Sequence, residues 1–283
     1  AIFVINQEDI RRSGATSVQE LLGMAPGMEV SQIDNNKWGI TSRGFNGRFS
    51  NKLLVLLDGR TIYSPSFSGV FWEVQDVMLE DIERIEVIRG PGGTLWGANA
   101  VNGVINIISK KAADTQGSLV SLGVGTEEGS LAVRHGVKLG DQAYLRLYGK
   151  ETSRDGATSL ASGSELDNDS HLGRGGFRLD WDKEQRDNFT LQGDAHRGQY
   201  SEVARHVTLA APLFSETVTD GSALRGANLL GRWRRTLSPT SDTTLQLYYD
   251  HDRRMGDTIG QEINTVDLDF QHHFLLGDRN DMI

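Results

Sequence analysis

Cysteine is absent from all 283 residues, which excludes a disulfide framework, a thiolate metal site and a cysteine nucleophile. Long apolar runs are missing too. Nothing approaches the roughly 18 residues that a membrane-crossing helix needs, and the best run, Leu53–Leu57, ends at Asp58-Gly59. Any membrane role therefore falls to β-strands, whose hydropathy signal is weak per segment. Basic charge is not in excess: the net charge of −9 argues against a nucleic-acid partner. The N-terminal Ala-Ile-Phe-Val-Ile-Asn lacks the basic stretch and apolar core of an export signal, so an exported chain is expected to have been processed or cut. Histidines do not cluster usefully. His272 and His273 are adjacent and face opposite sides of a strand, and His251 between Asp250 and Asp252 has the same problem. No Ser-His-Asp order, HExxH or carboxylate pair stands out, so the reading is no enzyme, no metal site and no cofactor.

What is present divides into two textures, as the length leads one to expect. Residues 1–111 read as an α+β unit. Asn6 can cap a helix over Gln7–Arg12 that Gly14 closes. Ser17-Val18-Gln19-Glu20 has capping-box spacing before a second helix that Pro26-Gly27 ends. Strand candidates follow at Met28–Gln32, Gly39–Arg43, Leu53–Leu57, Arg60–Tyr63, Ile82–Arg89 and Gly103–Ser109. Leu53–Leu57, apolar on both faces, suits a sheet position covered on both sides.

After Lys110-Lys111 the chain repeats strands of about ten residues, the length that crosses a bilayer when tilted. They are expected near 116–125, 130–139, 142–151, 171–181, 188–198, 222–237, 243–252 and 261–275. Val266, Leu268, Phe270 and Phe274 share one face, and Asp267, Asp269, Gln271 and His273 the other. Links at 140–141, 182–187, 238–242 and 276–281 are short, whereas those at 152–170 and 199–221 are long and polar; 126–129 and 253–260 are shorter. Short links at one end and mostly longer ones at the other are the asymmetry of an outer-membrane barrel. A water-soluble sandwich shares the alternation but does not explain the link lengths.

Residues 81–111 are the most distinctive stretch. Ile82–Arg89 and Gly103–Ser109 flank a loop holding Gly90, Pro91, Gly92, Gly93 and Gly97, where backbones must approach closely. The loop is not a nucleotide site. The third glycine of GxGxxG would fall at Leu95, and a phosphate loop from Gly92 meets Ala98 where lysine must stand. This segment resembles the C-terminal half of the plug domain of TonB-dependent outer-membrane receptors. Pro26-Gly27-Met28-Glu29-Val30, Thr41-Ser42-Arg43-Gly44-Phe45 and Leu53-Leu54-Val55-Leu56-Leu57-Asp58-Gly59 resemble that plug's other blocks, in the same order.

The resemblance implies an α+β plug domain over 1–111 and, over 112–283, the N-terminal portion of an antiparallel transmembrane β-barrel, about eight strands and incomplete. Plugged barrels close with about 22 strands, whereas an eight-stranded barrel is filled by its own side chains. A TonB box is expected upstream of Ala1. The implied function is import of a large, scarce ligand across the outer membrane of a Gram-negative bacterium, among outer-membrane lipid, with energy from TonB, ExbB and ExbD. A ferric siderophore is the leading ligand. Cobalamin, haem and oligosaccharide remain open, as does a small non-transporting barrel for binding or adhesion. Haem receptors of the family bring histidines on the plug, and residues 1–111 contain none.

By the same resemblance Arg43 and Arg89 dock the plug onto acidic residues of the wall beyond Ile283, with Glu86 in the docking set and in a charge network with Glu83 and Arg84. The apical plug loops supply ligand-site candidates: Phe45, Asn46, Arg48 and Phe49, then Tyr63, Phe67, Phe71 and Trp72. Aromatics beside arginine and asparagine suit a ligand with a flat apolar face and anionic or hydroxyl groups. Phe71 and Trp72 fit a core position equally well.

Overall fold

The structure, a computed structural model, describes residues 2–97, 99–158, 163–183, 186–209, 212, 214–256, 260–277 and 280–283, the side chains of 95, 204 and 205 apart. The chain opens with β1 (Ile2–Asn6), whose Phe3 and Ile5 turn inward while Ile2 and Val4 stay exposed. Helix α1 (Gln7–Ser13) starts where Asn6 accepts from the amides of Glu8 at 2.9 Å and Asp9 at 3.0 Å. The Asp9 carboxylate accepts in return from the Asn6 amide at 3.0 Å, and Gly14, at φ 74°, ends the helix. Helix α2 (Val18–Leu22) has half of its expected box. Ser17 accepts from the Glu20 amide, but Glu20 reaches back to the amide of Thr16, one residue early.

Strands β2 (Met28–Gln32) and β3 (Trp38–Ser42) pair as a separate hairpin. β4 (Leu53–Leu57), β5 (Arg60–Thr61), β6 (Ile82–Arg89), the short α3 (Gly93–Trp96) and β7 (Gly103–Ser109) complete the unit. The sheet runs β1-β6-β7-β4-β5, with β4 parallel to β7 and every other pair antiparallel. The two-sided apolar character of β4 has its reason here. Leu53 and Val55 join the large core with Ile5, Leu21, Ile85 and Ile105, whereas Leu54 and Leu56 pack with Ala100 and Val104 on the other face.

The glycine loop folds back through a close backbone crossing. Gly90 sits at φ 109°, open to glycine alone in practice, and a Cβ at Gly103 would stand 2.5 Å from the Ile88 carbonyl oxygen. Gly103→Ala should therefore separate β6 from β7 at a cost of about 1–3 kcal/mol. Faster amide exchange over Val104–Ile107 in the full-length protein is the expected result; unchanged protection there would refute it.

A turn of 3-10 helix at Ala112–Thr115 leads into a second sheet. Its strands are β8 (Gly117–Val124), β9 (Glu128–Leu139), β10 (Ala143–Arg154), β11 (Ser170–Lys183), β12 (Asp187–Val207), β13 (Ser215–Ser238), β14 (Ser241–Gly256), β15 (Gly260–Leu276) and the short β16 (Asn280–Met282). Each pairs antiparallel with the next, an open meander of nine strands among the described residues. All eight expected strands are present, with β16 added. One expectation is corrected: most of 199–221, read as a polar link, is strand. β12 continues to Val207 and β13 starts at Ser215. Backbone pairing zips this hairpin whatever its side chains, and polar residues on both faces erase the periodicity that marks a half-buried strand.

Along the sheet one set of alternate residues is apolar and exposed, including Leu147, Trp181, Leu191, Leu229, Leu247, Val266, Leu268 and Phe270. The other set carries Arg146, Arg174, Arg178, Gln246 and Arg254, all buried against the N-terminal unit. Near the tight-turn end Trp181, Phe189 and Trp233 lie in register on adjacent strands, with ring centroids 5.4 and 6.2 Å apart. Such a row of outward aromatics has the form of the girdle that borders the apolar band of an outer-membrane barrel.

Candidate functional site

The N-terminal unit meets the long sheet through buried charges, and most of the acids come from the unit. Asp58 stands at the β4–β5 turn with φ 52°, followed by Gly59 at φ 84°. Its carboxylate accepts from the Ser109 amide (2.8 Å), the Ser109 hydroxyl (2.7 Å) and Gln192 Nε2 (2.9 Å), with Arg178 Nη1 at 3.9 Å. Arg232 donates to the Asp58 carbonyl and Gln246 Nε2 to that of Gly59. Asp81 pairs with Arg134 and with Arg146, whose Nε is 3.4 Å away. Asp76 holds Lys150 and accepts from the Thr152 hydroxyl at 2.7 Å. Glu73 holds Arg254 at 2.8 Å. Three pairs run the other way, Arg60 to Asp250 and both Lys37 and Arg48 to Glu202. Buried charges persist only when paired and hydrogen-bonded in this manner. Beside them, burial pushes the Lys110 ammonium below its ordinary value, and Asp81 pulls it part of the way back.

Arg43, Arg89 and Glu86 do none of this: among the described residues no hydrogen bond or ion pair joins them to the long sheet. Arg89 Nη1 donates to the Pro26 carbonyl at 2.8 Å, and the Arg43 guanidinium lies against Gly90. Glu86 accepts from Arg84 Nε at 2.7 Å and from Asn106 Nδ2 at 3.0 Å, while Arg84 Nη1 reaches Glu83 at 2.6 Å. The charge network over residues 83–86 is therefore present within the unit. Hydrogen bonding to Glu86 holds the Arg84 guanidinium above its usual value against the cost of burial.

At the opposite end of the interface, several apical candidates meet. Phe49 and Phe67 pack edge to face at 5.1 Å, and Phe67 and Phe71 at 4.9 Å. Arg254 stacks 3.8 Å over the Phe71 ring and donates to the Tyr200 hydroxyl at 3.0 Å. Lys37 lies 4.8 Å over Tyr200 and pairs with Glu202, which also takes Arg48 at 3.1 Å. Arg48 in turn covers Phe49 at 5.2 Å. The eight side chains close a ring of aromatic and charged contacts between the two units.

Phe45 stands apart, 82% exposed, and Asn46 bonds Ser31 Oγ at 3.1 Å. Tyr63 and Phe71 line a cavity of about 370 Å³ between the units, with Trp96, His196 and Tyr248. Trp72 is 5% exposed and lies in the core, too deep to touch a ligand. Sequence reasoning missed Lys37, Tyr200, Glu202 and Arg254 at the ring, and Asp58, Glu73, Asp76 and Asp81 at the docking pairs. A signal existed for the acids: Asp76 and the Glu80-Asp81 pair flank the apolar Val77-Met78-Leu79, where a charge needs a partner. Tyr200 and Glu202 fell in the segment read as a link.

Residues 1–104 match the model of the TonB-dependent receptor plug domain. The N-terminal unit is a TonB-dependent receptor plug domain, and the sheet that follows it has the fold of such receptors' wall strands. Its sequence is 40% identical over 126 residues to the vitamin B12 transporter BtuB of Vibrio vulnificus, covering 44% of this chain and 20% of that one. It is 30% identical over 180 residues to BtuB of Vibrio cholerae serotype O1, covering 63% and 28%. The siderophore receptor PirA from Pseudomonas aeruginosa shares the fold with a TM-score of 0.69 at 19% identity, over 99% of this chain and 46% of PirA. The match thus spans less than a third of the length of the two BtuB relatives and under half of PirA. The plug is seated on the wall by plug acids against wall cations, with three pairs reversed, Arg60–Asp250, Lys37–Glu202 and Arg48–Glu202.

Proposed function

We propose that the receptor imports a bulky ligand through the outer membrane of a Gram-negative bacterium, gated by a plug over residues 1–111 within a barrel that begins at 112, and that the ligand is a ferric siderophore. The observation that carries this reading is the apical ring of Phe49, Phe67, Phe71 and Tyr200 interleaved with Lys37, Arg48 and Arg254. Flat apolar faces beside guanidinium groups suit aromatic or anionic chelate arms. The long-loop end of the wall then faces outward and the tight turns face the periplasm. TonB, ExbB and ExbD supply the energy that the outer membrane lacks, and catalysis has no part.

Cobalamin is the second reading, favoured by the BtuB relatives at 30–40% identity. Growth of a receptor-deletion strain decides between the two. The full-length gene should restore growth on a ferric catecholate or hydroxamate under iron limitation, and Phe67→Ala should weaken that rescue. Rescue on cyanocobalamin alone would replace the siderophore with the second reading.

The arginines of the glycine-flanked motifs carry a separate expectation. Arg43→Ala or Arg89→Ala in the whole receptor should loosen the plug and raise leakage of bulky antibiotics. Unchanged permeability in both, with normal expression, removes their docking role.

A further inference from the structure

Three arginines stand side by side on the outward face of the wall, where like charges repel. Arg197 on β12 lies directly opposite Arg225 on β13, which lies directly opposite Arg253 on β14. They belong to the same alternate set as Leu191, Leu229 and Leu247, and all three are exposed. Like charges in directly opposed positions destabilise a sheet pair unless something neutralises them. Acidic neighbours on this rung sit only at its ends. Glu262 is 3.8 Å from Arg253, and Glu151, opposite Gly173, is paired with His171. Among the described residues the side chains of Arg197 and Arg225 have no hydrogen-bond or ion-pair partner.

The height of this rung is informative. Phe189 to Arg197, Trp233 to Arg225 and Leu245 to Arg253 are each eight residues apart, on the same face. At about 3.3 Å per residue the arginines lie roughly 26 Å along the strands from the aromatic row. A tilt near 40° brings this to about 20 Å across the membrane, close to the height of an outer-membrane barrel's apolar band. The outward positions between are Leu191, Gly193 and Ala195 on β12, Ala227, Leu229 and Gly231 on β13, and Leu247, Tyr249 and His251 on β14. His251, on the rung next to the arginines, is the one strongly polar side chain among them. The aromatic row marks one border of the lipid-facing band and the arginine rung marks the other.

We propose that Arg197, Arg225 and Arg253 form a binding site for the phosphates of a phosphorylated glycolipid in the outer leaflet, its acyl chains lying on the apolar face below. This inference rests on the outer-membrane placement proposed above and on nothing about the imported ligand. Guanidinium groups match phosphate oxygens with paired N–H donors. Three of them across adjacent strands span about 10 Å, which suits a headgroup bearing two phosphates better than one bearing a single phosphate.

The test is native mass spectrometry of the full-length receptor purified in detergent from outer membranes and supplied with bis-phosphorylated lipid A. The wild-type receptor should retain the glycolipid. Arg197→Gln with Arg225→Gln should lower retention about tenfold or more, and Lys183→Gln, at the opposite rim, should leave it unchanged. Single Arg225→Gln and Arg225→Lys variants cover the case in which the double variant fails to fold; glutamine should weaken retention more than lysine. Equal retention in folded wild-type and variant receptors overturns the proposal. So does equal retention of phosphatidylglycerol, or displacement of the glycolipid by millimolar inorganic phosphate. Absence of the chain from the outer-membrane fraction would instead sink the placement itself.

Discussion

Asp81→Ala should unseat the plug from this arc of the wall. The substitution strands Arg134 and Arg146, whose side chains are only 10% and 6% exposed, without the carboxylate that pairs with both. Arg146 keeps one neutral acceptor, the Lys110 carbonyl at 3.0 Å, and among the described residues Arg134 keeps no other partner across the interface. Breaking a buried pair by removing one member costs about 3–5 kcal/mol, because the surviving charge stays desolvated. In the full-length receptor this should appear as a fall of that size in resistance of the plug to denaturant and as entry of large antibiotics. Removing the partner as well gives the sharper check. Asp81→Ala combined with Arg134→Met should be less damaging than the two single losses added together, with a coupling of about 0.5–3 kcal/mol. Strict additivity would show that the pair contributes nothing as a pair.

Asp58→Ala ranks next. One carboxylate serves the Ser109 amide, the Ser109 hydroxyl and Gln192, with Arg178 close by, and its own carbonyl takes Arg232. Each buried donor left without an acceptor costs about 1–3 kcal/mol. Alanine is also poorly suited to φ 52°, whereas asparagine tolerates the left-handed region. Asp58→Asn therefore isolates the charge. It should retain the turn and part of the hydrogen bonding, and lose roughly half of what alanine loses. Proteolytic cleavage of β7 and of the link into β8 should follow the same order, alanine fastest. Identical cleavage in wild-type and both variants would mean that Asp58 shapes its turn without anchoring the plug.

Much of the architecture was legible in residue order. β4, β6 and β7 begin and end where their apolar runs do, since Asp58-Gly59, Gly90-Pro91 and Lys110-Lys111 stop them. Eight wall strands could be located because an apolar outer face and a polar inner one impose a period of two. β1 escaped notice: five residues that run straight into a capped helix carry too little pattern to register. The projecting parts of β12 and β13 escaped for a different reason, since outside the apolar band nothing demands alternation.

The site was less legible. Phe49, Phe67, Phe71 and Arg48 were found as a composition, aromatics and a cation in apical loops, and their contacts follow from geometry. Trp72 shows the limit of such reasoning. It neighbours Phe71 in sequence yet points into the core, because adjacent residues in a short helical turn face different ways.

Residue order alone determined that this chain would build a glycine-crossed α+β unit followed by two-faced strands, because turn chemistry and hydrophobic periodicity act over a few neighbouring residues. Which charges meet was decided only by the tertiary structure. Asp81 finds Arg134 across 53 residues and Arg60 finds Asp250 across 190. Strand register chooses such partners, and desolvation then makes each indispensable to the other; neither leaves a trace in local composition. The same register aligned three arginines, scattered through the sequence, on a single rung.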